Sequence, residues 1–171
     1  MQSLQALLQW LYLRRIKLDH IEGPVEEISA AIELARLAHM CQITGLESQI
    51  AECIKNVLLE NPGPFVLPLP LSSDYSSPPD AYVYYLEPKH IASATCLPSR
   101  HPVRRTIAVA CVDGFIRSEN RKFRQQTVDY PLFAVDLLEE VRVCMKEMSN
   151  GSFKNPLSGE TASWGVKMEG E

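Results

Sequence analysis

The histidines and cysteines of this 171-residue chain are candidate ligands for a metal ion such as zinc. A metal site can be imagined from His90, Cys96, His101 and Cys111. Their spacing matches no standard zinc pattern, and Cys111 falls in an apolar stripe where a thiol acts as a small hydrophobic group. The remaining histidines, His20 and His39, lie in other predicted elements. We therefore predict no metal site.

The polar residues form no catalytic pattern that we recognise. The glycines are isolated, and none precedes a Lys-Ser or Lys-Thr pair as in a phosphate-binding loop. Serine, cysteine and histidine fall in no nucleophile signature, although a catalytic triad need not be local in sequence. We therefore expect a protein that is not an enzyme and that uses no cofactor.

The cysteines and the apolar segments indicate an intracellular protein, in the cytoplasm or the nucleus. The five cysteines are odd in number and contain no Cys-x-x-Cys pair. Four of them fall among apolar residues at helical spacing, which favours reduced core thiols: Cys41, Cys53, Cys111 and Cys144. No apolar run approaches the ~18–20 residues of a membrane-spanning helix, and the N-terminus lacks the continuous apolar core of a signal peptide.

A basic stretch in the second half could contact nucleic-acid phosphates. It comprises Arg100, Arg104, Arg105, Arg117, Arg121, Lys122 and Arg124, with Phe115 and Phe123 interleaved. The alternative without a binding function is that these cations are solvated, or pair with Asp136, Glu139 and Glu140 farther along the chain. The net charge of −4 gives no general reason to expect a nucleic acid, so we favour the alternative.

The N-terminal residues predict a helix with one apolar face. Apolar side chains recur at helical spacing at Leu4, Leu7, Leu8, Leu11 and Tyr12. Arg14 and Arg15 follow, where cations favour a helix C-terminus. Burying five such side chains contributes roughly 8–15 kcal/mol at ~1.5–3 kcal/mol each. Ordering ten residues costs a comparable amount, so we expect this helix to need a neighbouring layer.

Two more helices are predicted before a proline-rich linker. The second follows Pro24, with Glu26 and Glu27 in its first turn and a broad apolar stripe at Ile28, Ala31, Ile32, Ala35 and Ala38. For the third, Thr44 to Glu47 has the form of a capping box. Residues 61 to about 80 hold six of the twelve prolines. They predict an extended or disordered linker, and Tyr82 to Leu86 predict either a short strand or an aromatic anchor on the core.

The second half is predicted to be helical again. Pro88, Pro102 and Pro131 are each placed to open a helix, and a short exposed helix is predicted between Arg117 and Asp129. The last helix carries its apolar side at Phe133, Ala134, Leu137, Leu138, Val141, Met145 and Met148. Residues 149–171 lack periodicity and are predicted to be a disordered tail.

The first three predicted helices resemble the C-terminal half of a BTB/POZ domain. The resemblance covers residues 2–60 and is carried by three segments: Leu7-Leu8-Gln-Trp-Leu-Tyr12, Ile32-Glu-Leu-Ala-Arg-Leu-Ala38, and Gly45-Leu46-Glu47. The later segments 90–105 and 133–142 are similar to those of fungal BTB-domain proteins. The turn after the first helix, usually Tyr-Thr-Gly in the family, is here Tyr12-Leu13-Arg14.

The resemblance implies a mainly α fold with little or no sheet. It divides the chain into a partial BTB/POZ region (2–60), a linker (61–87), a helical extension (88–148) and a tail (149–171). The family's strand-rich N-terminal half has no counterpart in this sequence. We therefore expect a truncated fragment whose first helix lacks the elements that would bury its apolar face.

The resemblance also implies a protein–protein interaction module. It would act by self-association or by recruiting a cullin-type ubiquitin-ligase scaffold or a transcriptional cofactor. Helical geometry suggests Gln5, Gln9, Arg14 and Arg15 as partner contacts. The alternative is a nucleic-acid-associated regulator that uses the basic stretch 100–124.

Overall fold

The computed structural model describes residues 2–13, 16, 21–64, 80–118, 122–148 and 152–163. The helices in these ranges are α1 (Gln2–Leu13), α2 (Pro24–Met40), α3 (Glu47–Glu60), α4 (Pro88–Ala94), α5 (Pro102–Arg117), α6 (Arg124–Asp129) and α7 (Pro131–Glu147). One 3-10 turn, Ala81–Val83, precedes α4, and the strands β1 (Ser152–Lys154) and β2 (Thr161–Ser163) follow α7. The predicted mainly α fold is confirmed.

Helix α2 is buried on most sides, as its broad apolar stripe predicted. Pro24 occupies its first turn, with Glu26 and Glu27 near the positive end of the helix dipole. Its buried side chains are Ile28, Ala31, Ile32, Leu34, Ala35 and Ala38. Because α2 packs against α1, α3 and α4, it forms the centre of the N-terminal part of the core.

The predicted capping box of α3 is wrong. Gly45 takes a left-handed backbone conformation (φ +90°), and the helix begins at Glu47 after Leu46. Thr44 therefore lies outside the N-cap position. The Glu47 carboxylate still accepts a hydrogen bond from a preceding backbone N–H, that of Gly45, at 2.8 Å. This hydrogen bond closes a local turn before the helix.

The two helical groups share one hydrophobic core. Residues 80–87, predicted as the end of a linker, dock on that core through Ala81, Val83 and Leu86. The segment forms a 3-10 turn rather than the predicted strand, and it docks mainly through aliphatic side chains rather than as the predicted aromatic anchor, since Tyr84 is 52% exposed. Helix α4 packs on α2, and α5 packs on α3, so contacts run between the groups. Residues 65–79 of the predicted linker lie outside the described ranges.

Helix α5 lies between α3 and α7 and is buried on most sides. Gly114 is buried within it. Helix α7 buries Phe133, Leu137 and Cys144 as predicted. Leu138 and Met145, also predicted on the buried side, are exposed because they lie on the side of α7 that faces solvent. The short α6 has no buried residue, as expected for an exposed helix.

The predicted disordered tail is wrong for residues 152–163, which form an antiparallel hairpin. Phe153 pairs with Ala162 and is completely buried, and Leu157 is buried in the turn. Periodicity could not reveal this element because each strand is only three residues long. The hairpin is stable by virtue of its contacts with the helices, since an isolated two-stranded hairpin is marginal in water.

No helix in the described ranges is both long and apolar enough to cross a membrane.

Candidate functional site

The most unusual surface of the molecule is an exposed apolar stripe on α1. It consists of Leu4, Leu8, Leu11 and Tyr12, whose side chains are 54%, 48%, 43% and 84% exposed. The neighbouring face of the same helix, Ala6, Leu7 and Trp10, is buried. The apolar surface of α1 therefore extends beyond the face that the fold covers. We call the exposed part of this surface the α1 stripe.

The packing of α1 explains which face is buried. The helix packs against α2, and the Trp10 indole N–H donates a hydrogen bond to the Gln49 side chain of α3 at 3.2 Å. These contacts cover only the side that carries Trp10. The prediction of a buried face is therefore confirmed at Leu7 and wrong at the four residues of the α1 stripe.

The α1 stripe is chemically uniform. The twelve residues of α1 include no charged side chain. A surface of leucine and tyrosine cannot form strong ionic contacts, but it gains roughly 1.5–3 kcal/mol for each such side chain that a partner fully buries. Large contiguous apolar patches of this kind commonly mark protein-interaction sites.

The predicted contact residues differ in accessibility. Gln5 is exposed at the edge of the α1 stripe. Gln9 is partly buried, and its side-chain oxygen is enclosed without a hydrogen-bond donor from the described residues. Arg14 and Arg15 lie outside the described ranges. Gln5 is therefore the one predicted contact that the structure places beside the α1 stripe.

A second apolar surface lies on α7. Its exposed residues are Leu132, Val135, Leu138, Val143 and Met145. Unlike the α1 stripe, this surface is interrupted by the exposed charges of Glu139, Arg142 and Lys146. It resembles an ordinary solvated helix face with scattered apolar residues, which requires no functional explanation.

Among the described residues, the basic stretch is interrupted at Arg104, which is a buried structural residue. Its Nε–H donates to Asp136 at 2.8 Å, and its other N–H groups donate to the carbonyls of Leu97 and Leu132 at 3.0 and 3.2 Å. Arg104 thus joins the loop before α5 to the start of α7. Its guanidinium is unavailable to nucleic acid.

The other cations of the stretch are dispersed. Arg105 is exposed and pairs with Glu140 at 2.8 Å, which confirms the alternative that these arginines pair with the last helix. Lys122 donates to the carbonyls of Val83 and Tyr84. Arg100 and Arg124 are exposed, and Arg121 lies outside the described ranges.

His90 and Ser29 lie in contact but do not form a nucleophile and base pair. The Glu87 backbone N–H donates to His90 Nδ1 at 2.9 Å, so in the neutral ring the proton resides on Nε2. Nε2 faces Ser29 Oγ at 2.8 Å and the Val25 carbonyl at 3.1 Å, and the Ser29 hydroxyl donates to the same carbonyl. His90 therefore has no free lone pair with which to deprotonate Ser29.

His101 and the cysteines also serve structural roles. His101 Nδ1 accepts a hydrogen bond from the Val103 backbone N–H at the start of α5. All five cysteines are free; Cys111 and Cys144 are buried, while Cys41, predicted in the core, is exposed at the end of α2. Among the described residues, no three or more His, Cys, Asp or Glu side chains are grouped closely enough to hold a metal ion.

A small cavity lies between α5, α7 and the residues before α4 and α6. It is lined by Asp80, Val83, Cys111, Gly114, Phe115, Lys122, Phe123, Arg124 and Leu137. The free space for the centre of a water molecule is about 10 Å³, which is the size of one ordered water. Asp80 Oδ1 is enclosed and accepts no hydrogen bond from the described residues. The cavity is too small to hold an organic substrate.

The sequence analysis missed a buried polar cluster under the hairpin. Asp113 accepts two hydrogen bonds from Arg117 and one from the Asn155 amide at 2.9 Å. Burial raises the pKa of Asp113, and Arg117 and Asn155 partly oppose that rise. The spacing of Asp113 and Arg117, four residues apart on a helix, was a detectable signal for the ion pair. No local signal indicated Asn155, which lies far along the chain.

Comparison with family models, with the curated proteins and with the solved structures gives no match to this chain. The resemblance to the BTB/POZ family therefore stays a prediction.

Proposed function

We propose that this chain is a protein–protein interaction module whose docking surface is the α1 stripe. The single observation that supports this proposal is the exposure of Leu4, Leu8, Leu11 and Tyr12 on a helix that carries no charge. The chain performs no chemistry in this proposal. It acts inside the cell, in the cytoplasm or nucleus, by bringing proteins together.

The occupant that the surface favours is a second copy of the same chain. Two identical helices that pack in an antiparallel pair bring the same residues into contact twice. Because α1 has no charged side chain, such a pair brings no like charges together. The uninterrupted leucine surface can then be buried in the contact, with Tyr12 at each end.

The resemblance to the BTB/POZ family extends this proposal. It suggests that the module also recruits a cullin-type scaffold or a transcriptional cofactor. The rival function, nucleic-acid binding through residues 100–124, is weakened because Arg104, Arg105 and Arg117 pair with carboxylates of the same chain. These cations would have to break internal contacts before they could bind phosphate.

Sedimentation velocity over a concentration series tests the proposal. The decisive variant is Leu8→Asp, and Leu138→Asp on α7 is its control, because the two side chains are 48% and 57% exposed. We expect reversible dimers for the natural chain and for Leu138→Asp, and monomers for Leu8→Asp. Equal association of the two variants, or polydisperse aggregates, contradicts a specific surface.

A cullin pull-down distinguishes the occupants if the natural chain stays a monomer. Enrichment of a cullin that Leu8→Asp abolishes and Leu138→Asp retains would support the same docking surface with a different partner. If the natural chain is a monomer and captures no more cullin than Leu8→Asp does, neither a second copy of the chain nor a cullin is the partner of the α1 stripe.

A further inference from the structure

Two buried histidines each accept a backbone hydrogen bond at the start of a helix, and the two helices are consecutive. His90 accepts a hydrogen bond from the Glu87 backbone N–H at the start of α4, and His101 accepts one from Val103 at the start of α5. In both cases the acceptor is Nδ1. Their side chains are 1% and 8% exposed. Both contacts require an imidazole whose Nδ1 carries no proton.

His90 also connects α4 to α2. Its Nε2 lies 2.8 Å from Ser29 Oγ and 3.1 Å from the Val25 carbonyl, and both residues belong to α2. The ring therefore joins the first turn of α4 to the first turns of α2. His101 caps the 16-residue helix α5, so the two histidines lie at the starts of two consecutive helices, α4 and α5.

Protonation would reverse the role of Nδ1 in each ring. An N–H on Nδ1 would face the backbone N–H that now donates to it, so two donors would oppose each other. A positive charge would also be enclosed away from water, which is costly unless the charge is paired. At the start of α5 the helix dipole adds a further penalty.

We propose that His90 and His101 form an acid-sensitive latch in which neutral His90 holds the start of α4 against α2 and neutral His101 caps α5, and which loosens residues 87–103 when both imidazoles are protonated. The latch is a conformational device of the fold and is independent of the α1 stripe. Burial lowers the pKa of both histidines, in agreement with this geometry.

The charged neighbours do not reverse this conclusion. Lys89 disfavours protonation of His90, whereas Glu87 and Glu26 favour it less strongly than burial opposes it. For His101, the carboxylate of Glu47 favours protonation, while His39 and Arg104 disfavour it. A histidine whose pKa is lower in the closed state stabilises that state above pH ~6.5, and this contribution is lost as the pH falls below that value.

Hydrogen exchange measured by mass spectrometry at pH 7.5 and 5.5 tests the latch, after correction for intrinsic exchange rates. Between these pH values, the opening equilibrium of residues 87–103 should rise by up to about tenfold per histidine, or about 100-fold for both. Helix α7 serves as the internal reference, and its protection should change less.

The matched variant is the double substitution His90→Gln and His101→Asn. Both replacements keep a side-chain acceptor, Asn is a good N-cap residue, and neither titrates. We expect this variant to lose the pH dependence of residues 87–103, and the exposed control His39→Gln to retain it. An unchanged pH dependence in the double variant overturns the proposal.

The natural chain provides an independent test if the double variant fails to fold. Ring titration by NMR should give pKa values below 6.5 for both His90 and His101. A value at or above 6.5 for either ring contradicts the latch.

Discussion

The two ends of the described chain show opposite relations between composition and burial. Helix α1 is rich in leucine, yet it exposes Leu4, Leu8, Leu11 and Tyr12. The C-terminal hairpin is short and polar, yet Phe153 is completely buried and Asn155 is 5% exposed. Helix α1 therefore keeps apolar surface exposed to solvent, whereas the polar hairpin is packed into the core.

The difference lies in what each segment packs against. Helix α1 lies at the edge of the helical assembly, so α2 covers only the side that carries Leu7 and Trp10. The hairpin meets α5 and α7 at once. Asn155 accepts hydrogen bonds from the backbone of Leu157 and Ser158 and donates to Asp113 of α5. The number of available neighbours decides burial, and the apolar content of a segment does not.

The largest expected effect concerns the two aromatic residues at the two ends. Phe153→Ala should lower the free energy of unfolding by about 3–5 kcal/mol, because it leaves a cavity in the core. Tyr12→Ala is the matched control and should change stability by no more than about 0.5 kcal/mol. Chemical denaturation measures both values. Similar losses for the two variants would contradict the burial of the hairpin or the exposure of Tyr12.

The next comparison separates two adjacent leucines of α1. Leu7→Ala should destabilise the protein by about 2–5 kcal/mol, whereas Leu8→Ala should cost about 0.5 kcal/mol or less under conditions where the chain is monomeric. Thermal denaturation of a dilute sample gives this difference. If Leu8→Ala lowers the stability more than Leu7→Ala does, α1 packs on α2 through a different face.

A smaller effect is expected where the hairpin meets α5. Asn155→Ala removes the amide that donates to Asp113 and the oxygen that organises the turn, at a cost of about 1–3 kcal/mol. The control is Lys154→Ala, since Lys154 is exposed on the adjacent position of β1. Hydrogen exchange of residues 152–163 should accelerate in the first variant only. Equal acceleration in both would show that the Asp113 contact does not hold the hairpin.

Much of the helical architecture was predictable from local signals. Pro24, Pro88, Pro102 and Pro131 each open a helix, as their positions indicated. The stripe of α2 is buried as predicted because helices on several sides cover it. The candidate site was predicted less well. The sequence indicated an apolar first helix, but the α1 stripe could not be distinguished from the buried face, since both carry apolar side chains at helical spacing.

The residues of the basic stretch differ in exposure for a related reason. Arg104 and Arg105 are neighbours in sequence, but they lie on different sides of α5. Arg104 is enclosed by α7 and the loop before α5, and Arg105 remains at the surface. The order of charges along the chain cannot distinguish these environments, because the partners of Arg104 lie up to 32 residues away.

The amino-acid sequence by itself determined the helices, their proline-marked starts and the mainly α class, because these depend on contacts within a few residues of one another. Only the tertiary structure decided which side of α1 is exposed, that the C-terminal residues form a buried hairpin, and that His90 and His101 cap helices. The physical reason is that burial and hydrogen-bond partnership depend on neighbours brought together by folding, and these neighbours are distant in the sequence.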